Sequence, residues 1–234
     1  MLDFPKAHIF APTAEKMKTK PSGSNHRPSF AEEQALVKCG CRLIAGIDEV
    51  GRGPLAGPVM AAAVILPLGL DTEWLHLIND SKQLTAETRE QLLPLILESA
   101  IAVGIGEMSS EAIDEYGIVR ATKMAMKKAI ANLDTKPDAL LIDFVRLTEV
   151  NLPQRCIPKG DCISLSIACA SIIAKVTRDR LMVEFDKTYP GYGFAEHKGY
   201  ATKEHLESIG RLGACPIHRM CFSPFRPEMD LGKI

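Results

Sequence analysis

The hydrophobic positions of this chain of 234 residues alternate between short apolar runs and longer segments of helical periodicity. Apolar runs typical of buried strands occupy residues 43–47, 59–66, 101–106 and 139–142, and a fifth strand is expected at 154–157. Helical spacing marks residues 85–98, 118–133, 163–187 and 203–209. Pro94 is expected to kink or split the first of these helices, and Thr202 is placed to cap the last. The alternation predicts an α/β fold.

The two ends of the chain differ from this pattern. Residues 1–28 contain four prolines, little apolar periodicity and a net charge of +3, which predicts a flexible N-terminal tail. Ser29 and Glu32 have the spacing of a capping box and predict that a short helix begins there. We therefore expect a single domain over residues 29–224, followed by a C-terminal tail at 225–234.

Composition and charge exclude several classes of protein. Hydrophobic residues make up 46% and charged residues 24% of the chain, as in globular proteins, and the net charge of −1 excludes a broadly basic coat for nucleic acid. The longest apolar run, residues 59–66, is far shorter than the ~20 residues of a membrane span, so no membrane association is expected. Seven cysteines without a CxxC pair argue against a structural zinc site. They indicate reduced thiols and a cytoplasmic protein.

Acidic residues follow the predicted strands. Asp48 and Asp143 come where apolar runs stop, and Asp161 lies between a glycine and the helix at 163–187. Carboxylates gathered at one sheet edge would repel one another, and Mg²⁺ or Mn²⁺ would relieve that repulsion. Taken singly, an aspartate in such a position is usually a turn former or a helix cap. Asp48 and Glu49 point to opposite faces of a regular strand, so both reach one site only if the strand ends or bends there.

A glycine-rich loop, residues 51–58, follows the first strand. It holds three glycines, two prolines and one arginine, so its backbone can approach a ligand closely. The loop lacks the glycine spacing of a dinucleotide fingerprint and the lysine of a Walker motif. A phosphate-loop nucleotide-binding phosphotransferase is nevertheless kept as the alternative function.

The segment at residues 47–59, IDEVGRGPLAGPV, resembles the signature of type 2 ribonuclease H, the bacterial ribonuclease HII family. Five further family-like segments follow in order, at residues 80–84, 141–143, 159–161, 170–179 and 192–200. The resemblance spans about residues 42–224. It implies a ribonuclease H-like fold, in which helices flank a mixed five-stranded sheet and the C-terminal part is helical.

The resemblance also implies an activity and its residues. Family members are metal-dependent endoribonucleases that cleave the RNA strand of RNA–DNA hybrids. They also nick DNA 5′ of single embedded ribonucleotides, leaving 3′-hydroxyl and 5′-phosphate ends, and a monomer is the expected state. Matching the motifs assigns the Mn²⁺ or Mg²⁺ ligands of a two-metal mechanism to Asp48, Glu49, Asp143 and Asp161.

The same matching assigns residues to the substrate. Gly51, Arg52 and Gly53 match the element that senses the ribose 2′-hydroxyl, and Tyr200 matches a tyrosine that stacks on the next sugar. Phosphate contacts fall to Lys82, Ser171 and Lys175. Phe144 departs from the family pattern, because a glycine or another small or polar residue usually follows the third carboxylate.

Overall fold

The structure, a computed structural model, describes residues 27–78 and 84–225. The predicted tails at 1–28 and 225–234 lie almost wholly outside these residues, and Lys82 lies outside them as well.

A mixed five-stranded sheet forms the centre of the molecule. Its strands are β1 (Ile44–Val50), β2 (Val59–Ile65), β3 (Ala102–Met108), β4 (Ala139–Asp143) and β5 (Gln154–Ile157). They are ordered β3-β2-β1-β4-β5. The β1–β2 and β2–β3 pairs are antiparallel, whereas β4 runs parallel to β1 and to β5. All five predicted strands are present, which confirms the mixed sheet.

Helices cover both faces of the sheet. They are α1 (Ala31–Lys38), α2 (Ala86–Ser99), α3 (Ser110–Tyr116), α4 (Ile118–Ala131), α5 (Leu165–Thr188), α6 (Phe194–His197) and α7 (Lys203–Leu212). One core forms between the sheet and α4, and a second between the sheet, α2 and α5. The last two helices belong to a helical C-terminal part, so the predicted ribonuclease H-like α/β architecture is confirmed.

Close backbone contact between α5 and β1 depends on Gly46. A Cβ atom there would stand 2.2 Å from the carbonyl carbon of Ser166, so no larger residue fits without moving the helix. The small residues in the first half of α5, which the sequence shows as a run of serines and alanines, complete this contact. The helix therefore delivers its side chains directly to the end of β1.

One prediction about helix ends was wrong, and Pro94 does not split its helix. Pro94 lies inside α2, which runs unbroken to Ser99, with Leu92, Leu93 and Ile96 buried around the proline. The capping box at Ser29 does not form: α1 begins at Ala31, and Ser29 instead bridges to Ser164. Thr202 caps α7 as predicted, accepting a 3.3 Å hydrogen bond from the His205 backbone N–H.

Neither a membrane-spanning helix nor a disulfide bond is found in the described part of the chain. None of its helices combines the length and the apolar character that crossing a bilayer requires. All seven cysteines lie in the described ranges, and no disulfide joins any of them.

Candidate active site

Asp48, Glu49 and Asp143 lie near one another at the edge of the sheet where the parallel strands β1 and β4 end, and the turn that carries Asp161 is tied to Asp143. Asp48 and Glu49 are among the last three residues of β1, and Asp143 is the final residue of β4. Asp161 lies in a single 3₁₀ turn, Gly160–Cys162, just before α5. The Gly160 N–H donates a 3.0 Å hydrogen bond to Oδ1 of Asp143, which ties this turn to the end of β4.

Strand β1 does not stop at Asp48, contrary to the sequence-based expectation. It pairs with β2 through Asp48–Ala62, Glu49–Ala61 and Val50–Met60. Its pairing with β4, however, ends at Ile47–Ile142. Because that edge of β1 is open beyond Ile47, Asp48 and Glu49 can both approach Asp143 even though the strand continues.

Asp48 is a buried carboxylate, only 5% exposed. Burial raises its pKa well above the ordinary range, and the nearby charges of Glu49 and Asp143 raise it further. A hydrogen bond with the Ser171 side chain of α5 partly offsets these effects. An added cation would relieve both the burial of charge and the repulsion between the three carboxylates.

Glu49 is also a largely buried carboxylate, and it forms a salt bridge with Arg52. Burial raises its pKa and Asp143 adds to that shift, while Arg52, whose Nη1 lies 3.0 Å from Oε1, opposes it. The other carboxylate oxygen, Oε2, is buried without a hydrogen-bond partner in the described residues. A hard cation suits such an oxygen, so the residues present fit a divalent metal ion. Within the described ranges, however, no three histidine, cysteine or acidic side chains are already gathered around one metal position.

Backbone strain flanks two of the four carboxylates. Phe144, directly after Asp143, has φ 57°, and Lys159, two residues before Asp161, has φ 58°. Few residues other than glycine adopt this left-handed region, and a bulky aromatic residue there is a genuine outlier. The departure of Phe144 from the family pattern therefore has a physical consequence. Its side chain is also 69% exposed beside the site.

Two fully buried arginines hold the glycine loop (residues 51–58). Arg178 of α5 donates to the carbonyl oxygens of Ala56, Pro58 and Lys198, each at 3.0 Å. Arg219 donates to Gly51 and Gly57 within 2.6–2.9 Å, and to Arg52 at 3.0 Å. The loop is thereby fixed through its carbonyl groups, and of its residues only Arg52 and Gly53 are not buried.

Neither arginine is assigned a role from the sequence. A signal was available for Arg178, because it continues the helical spacing of the buried positions Ser171 and Ala174 on α5. A charged residue on a buried helix face indicates a specific polar partner. Arg219 lies outside any helix or strand and carries no comparable pattern.

The substrate residues assigned from the resemblance fall into two groups, one at the glycine loop and one on α5. Gly53 and Tyr200 are neighbours, since a Cβ atom on Gly53 would stand 3.8 Å from Cε1 of Tyr200. Tyr200 is 43% exposed. On α5, Ser171 contacts Asp48, and the ammonium of Lys175 lies 2.7 Å from Oδ1 of Asp179. Lys82 lies outside the described residues.

Comparison with known proteins decides the family. The profile of the family described as Ribonuclease HII matches residues 45–224, which include all four acidic residues and the glycine loop. The chain belongs to the ribonuclease HII family. It is thus a ribonuclease H hydrolase by class, and the phosphotransferase alternative is not favoured.

Individual relatives agree with this membership. A ribonuclease HII of Dehalococcoides mccartyi is 51% identical over 204 residues, covering 87% of this chain and 97% of that protein. A ribonuclease HII of Acetivibrio thermocellus is 56% identical, covering 82% of this chain and 73% of its own length.

Solved structures share the fold. Ribonuclease H2 from Pyrococcus horikoshii superposes with a TM-score of 0.66 at 25% identity, covering 79% of this chain and 95% of that one. The ribonuclease HII of Archaeoglobus fulgidus, solved in complex with PCNA, gives a TM-score of 0.63 at 27% identity and covers 79% and 97% of the two chains. A third neighbour, a ribonuclease HIII solved with Mn²⁺, is 20% identical, covers 78% and 68% of the two chains and shares the fold at a TM-score of 0.58.

Proposed function

We propose that this member of the ribonuclease HII family cleaves the RNA strand of RNA–DNA hybrids and nicks duplex DNA on the 5′ side of single embedded ribonucleotides. The products would carry 3′-hydroxyl and 5′-phosphate ends. The observation that carries the proposal is the open edge of β1, where buried Asp48 and the unpartnered Oε2 of Glu49 lie near Asp143.

Asp48, Glu49, Asp143 and Asp161 would hold Mn²⁺ or Mg²⁺. All four supply oxygen ligands, which both ions prefer. A pair of such ions activates water and stabilises the leaving oxygen in phosphodiester hydrolysis. The chain's own part is to hold the carboxylates together against their repulsion: the Gly160 N–H orients Asp143, and Ser171 orients Asp48.

The glycine loop and Tyr200 would recognise the ribonucleotide. The 2′-hydroxyl both donates and accepts hydrogen bonds and is the local difference between RNA and DNA. Backbone groups of Gly51, Arg52 and Gly53 would approach it; the space that a side chain would fill is open at Gly53, whereas at Gly51 Arg178 packs there. Arg178 and Arg219 occupy the carbonyls behind the loop, so the loop meets the substrate without rearranging. Tyr200, beside Gly53, would stack on the following sugar.

Phosphate contacts would come from Ser171, Lys175 and Lys82. Lys175 is half-buried, and burial lowers its pKa although Asp179 opposes that shift. On binding a phosphate, the Lys175 ammonium would either leave Asp179 or contact the phosphate and Asp179 together. Because backbone phosphates release counterions on binding, affinity for the duplex should fall as salt rises.

Partners and location follow the same proposal. The nucleic-acid partners are RNA–DNA hybrids and DNA duplexes that contain ribonucleotides, and the protein acts as a monomer in the cytoplasm. The absence of disulfides among its seven cysteines supports a reducing compartment.

The deciding experiment compares four substrates at equal concentration with Mn²⁺ or Mg²⁺. A DNA duplex with one ribonucleotide and a long hybrid should both be cut, whereas an all-DNA duplex should not. ATP, the fourth, should not be hydrolysed. Nicking 5′ of the ribonucleotide with a 3′-hydroxyl end supports the proposal. Cleavage of the all-DNA duplex at a similar rate, or magnesium-dependent ATP hydrolysis, would refute it.

A further inference from the structure

Two histidines form a buried pair behind Tyr200. His205 of α7 and His218 are 0% and 2% exposed. Their Nε2 atoms lie 3.1 Å apart. His205 Nδ1 lies 2.8 Å from the carbonyl oxygen of Tyr200, and His218 Nδ1 lies 2.9 Å from the Cys215 backbone nitrogen. An unbroken chain of contacts therefore runs from Cys215 to the backbone of Tyr200.

The ends of this chain fix the proton on each ring. The Cys215 N–H can only donate, so His218 Nδ1 accepts, and the proton of neutral His218 is on Nε2. That N–H donates to His205 Nε2, which leaves the His205 proton on Nδ1, where it donates to the Tyr200 carbonyl. The Cys215 carbonyl also lies 3.2 Å from His218 Nδ1, but it could accept a hydrogen bond only if Nδ1 carried the proton. The Nδ1–H would then face the Cys215 backbone N–H, and two donors would meet without an acceptor.

A third histidine constrains the same segment. His197 stacks on His205 with ring centroids 4.3 Å apart. It accepts a 3.1 Å hydrogen bond from the Gly199 N–H at Nδ1, so its Nε2 proton goes to the carbonyl of Tyr192, at 2.7 Å. The single ring of Phe194 makes edge contacts with both His197 and His205. Additional positive charge on any of these rings would be poorly accommodated.

The histidine pair and the glycine loop meet at consecutive residues. The carbonyl of Gly199 accepts a 2.8 Å hydrogen bond from the Leu55 N–H, and the next carbonyl, that of Tyr200, accepts from His205. Residue 200 is thus held through the peptide group before it and the peptide group after it, while its ring remains 43% exposed beside Gly53.

We propose that His205 and His218 are positioning residues for Tyr200, and that a neutral pair with the proton on Nδ1 of His205 and on Nε2 of His218 sets the backbone that presents the tyrosine ring to a ribonucleotide junction. The inference rests on the proposed function of Tyr200. Its structural part, the two protonation sites, is independent of any activity.

The first test is nitrogen-15 NMR of the histidine rings in the unmodified protein near neutral pH. Long-range proton–nitrogen correlations distinguish the two neutral forms. The expected result is Nδ1–H for His205 and Nε2–H for His218 and His197. Nε2–H at His205, or rapid exchange between forms, would overturn the inference whatever the enzyme cleaves.

The second test measures the ratio of cleavage rates on a single-ribonucleotide duplex and on a long hybrid. His205→Asn keeps a donor near Nδ1 and should retain the ratio. His205→Gln places its amide near Nε2, loses the bond to Tyr200 and should lower the ratio roughly threefold to tenfold, towards that of Tyr200→Ala. The exposed His76→Gln is the matched control.

The outcomes separate the inference from the function on which it rests. If Tyr200→Ala leaves the ratio unchanged, the proposed role of Tyr200 fails, and the NMR result still decides the protonation sites. If Tyr200→Ala lowers the ratio but His205→Asn and His205→Gln behave alike, the positioning role is refuted. Unfolding midpoints of the variants show whether a change in the ratio is separate from a loss of stability.

Discussion

The guanidinium of Arg219 donates a 2.6 Å hydrogen bond to the carbonyl oxygen of Gly51, the first residue of the glycine loop. Three further hydrogen bonds join the same guanidinium to Arg52 and Gly57. Since Arg219 is fully buried and the acceptors are all backbone atoms, the loop and the arginine depend on each other. Burial lowers the pKa of Arg219 to about 9.

Arg219→Lys should lower the free energy of unfolding by about 3 kcal/mol or more, because a lysine cannot satisfy three separate carbonyls and its charge stays buried. Arg211→Lys is the matched control. Arg211 makes a single exposed bond of 3.1 Å to Gly191, so its loss should cost less than ~1 kcal/mol. Equal denaturation midpoints for the two variants would contradict this account of the loop.

Two glycines of the loop should respond differently to alanine. Gly51 has φ 85°, and a Cβ atom there would lie 2.3 Å from Nε of Arg178 and 2.8 Å from the Pro58 carbonyl. Gly51→Ala should therefore cost more than about 2 kcal/mol of stability. Gly53 has ordinary backbone angles and room for a methyl group, 3.8 Å from Tyr200.

Gly53→Ala should thus remain within ~1 kcal/mol of the original stability while cutting poorly, because its methyl group would occupy the position proposed for the ribose. Urea unfolding and single-turnover cleavage, measured on both variants, check this. Normal cleavage by Gly53→Ala would contradict the proposed role of the glycine loop in substrate recognition.

Replacing Glu33 should lower the stability of the folded protein more than replacing its neighbour Glu32. Its Oε1 accepts 2.6 Å and 3.0 Å hydrogen bonds from the Ser164 hydroxyl and the Ser166 N–H at the start of α5, and the residue is fully buried. Glu33→Gln should cost about 1–3 kcal/mol, because two charge-assisted bonds become neutral. Glu32 pairs with half-exposed Arg155 at 2.7 Å, so Glu32→Gln should cost less than ~1 kcal/mol. Thermal unfolding of the two variants would contradict the account if it ranked them in the opposite order.

The buried His205 predicts a pH dependence of stability. Burial lowers its pKa from 6.5 to about 4, and the neighbouring rings of His197 and His218 add to that shift. The unfolded chain takes up a proton near pH 6.5 and the folded protein only near pH 4, so stability falls as the pH is lowered through this interval. The difference in unfolding free energy between the parent protein and His205→Gln should shrink from pH 7 to pH 4. A constant difference would contradict the shift.

The sequence predicts most of this fold and only part of its site. Strands β2 and β4 are recognised because they are buried on both faces and read as continuous apolar runs. Helix α3 and the short α6 were missed, since seven and four residues carry too little periodicity.

In the site, too, the sequence reveals some residues and not others. Asp48 and Asp143 are candidates because apolar runs stop there, and the family motifs assign them as ligands; yet β1 continues to Val50, and what ends near Asp48 is its pairing with β4. Pairing between strands distant in sequence leaves no local pattern. The contacts of Arg219 and His218 could not be predicted for a related reason: each reaches backbone atoms or another buried ring more than a dozen residues away in the sequence.

The most direct test of the account is the dependence of cleavage on a divalent cation and on Asp48. A duplex with one ribonucleotide is incubated with metal-stripped protein, and Mn²⁺ or Mg²⁺ is then added back. The original chain and Asp134→Asn, an exposed carboxylate beyond the end of α4, should recover full cleavage. Asp48→Asn should stay at least about a hundredfold slower while still binding the duplex. Near-normal turnover by Asp48→Asn, or undiminished cleavage in chelator, would contradict the claim that these carboxylates hold catalytic metal ions.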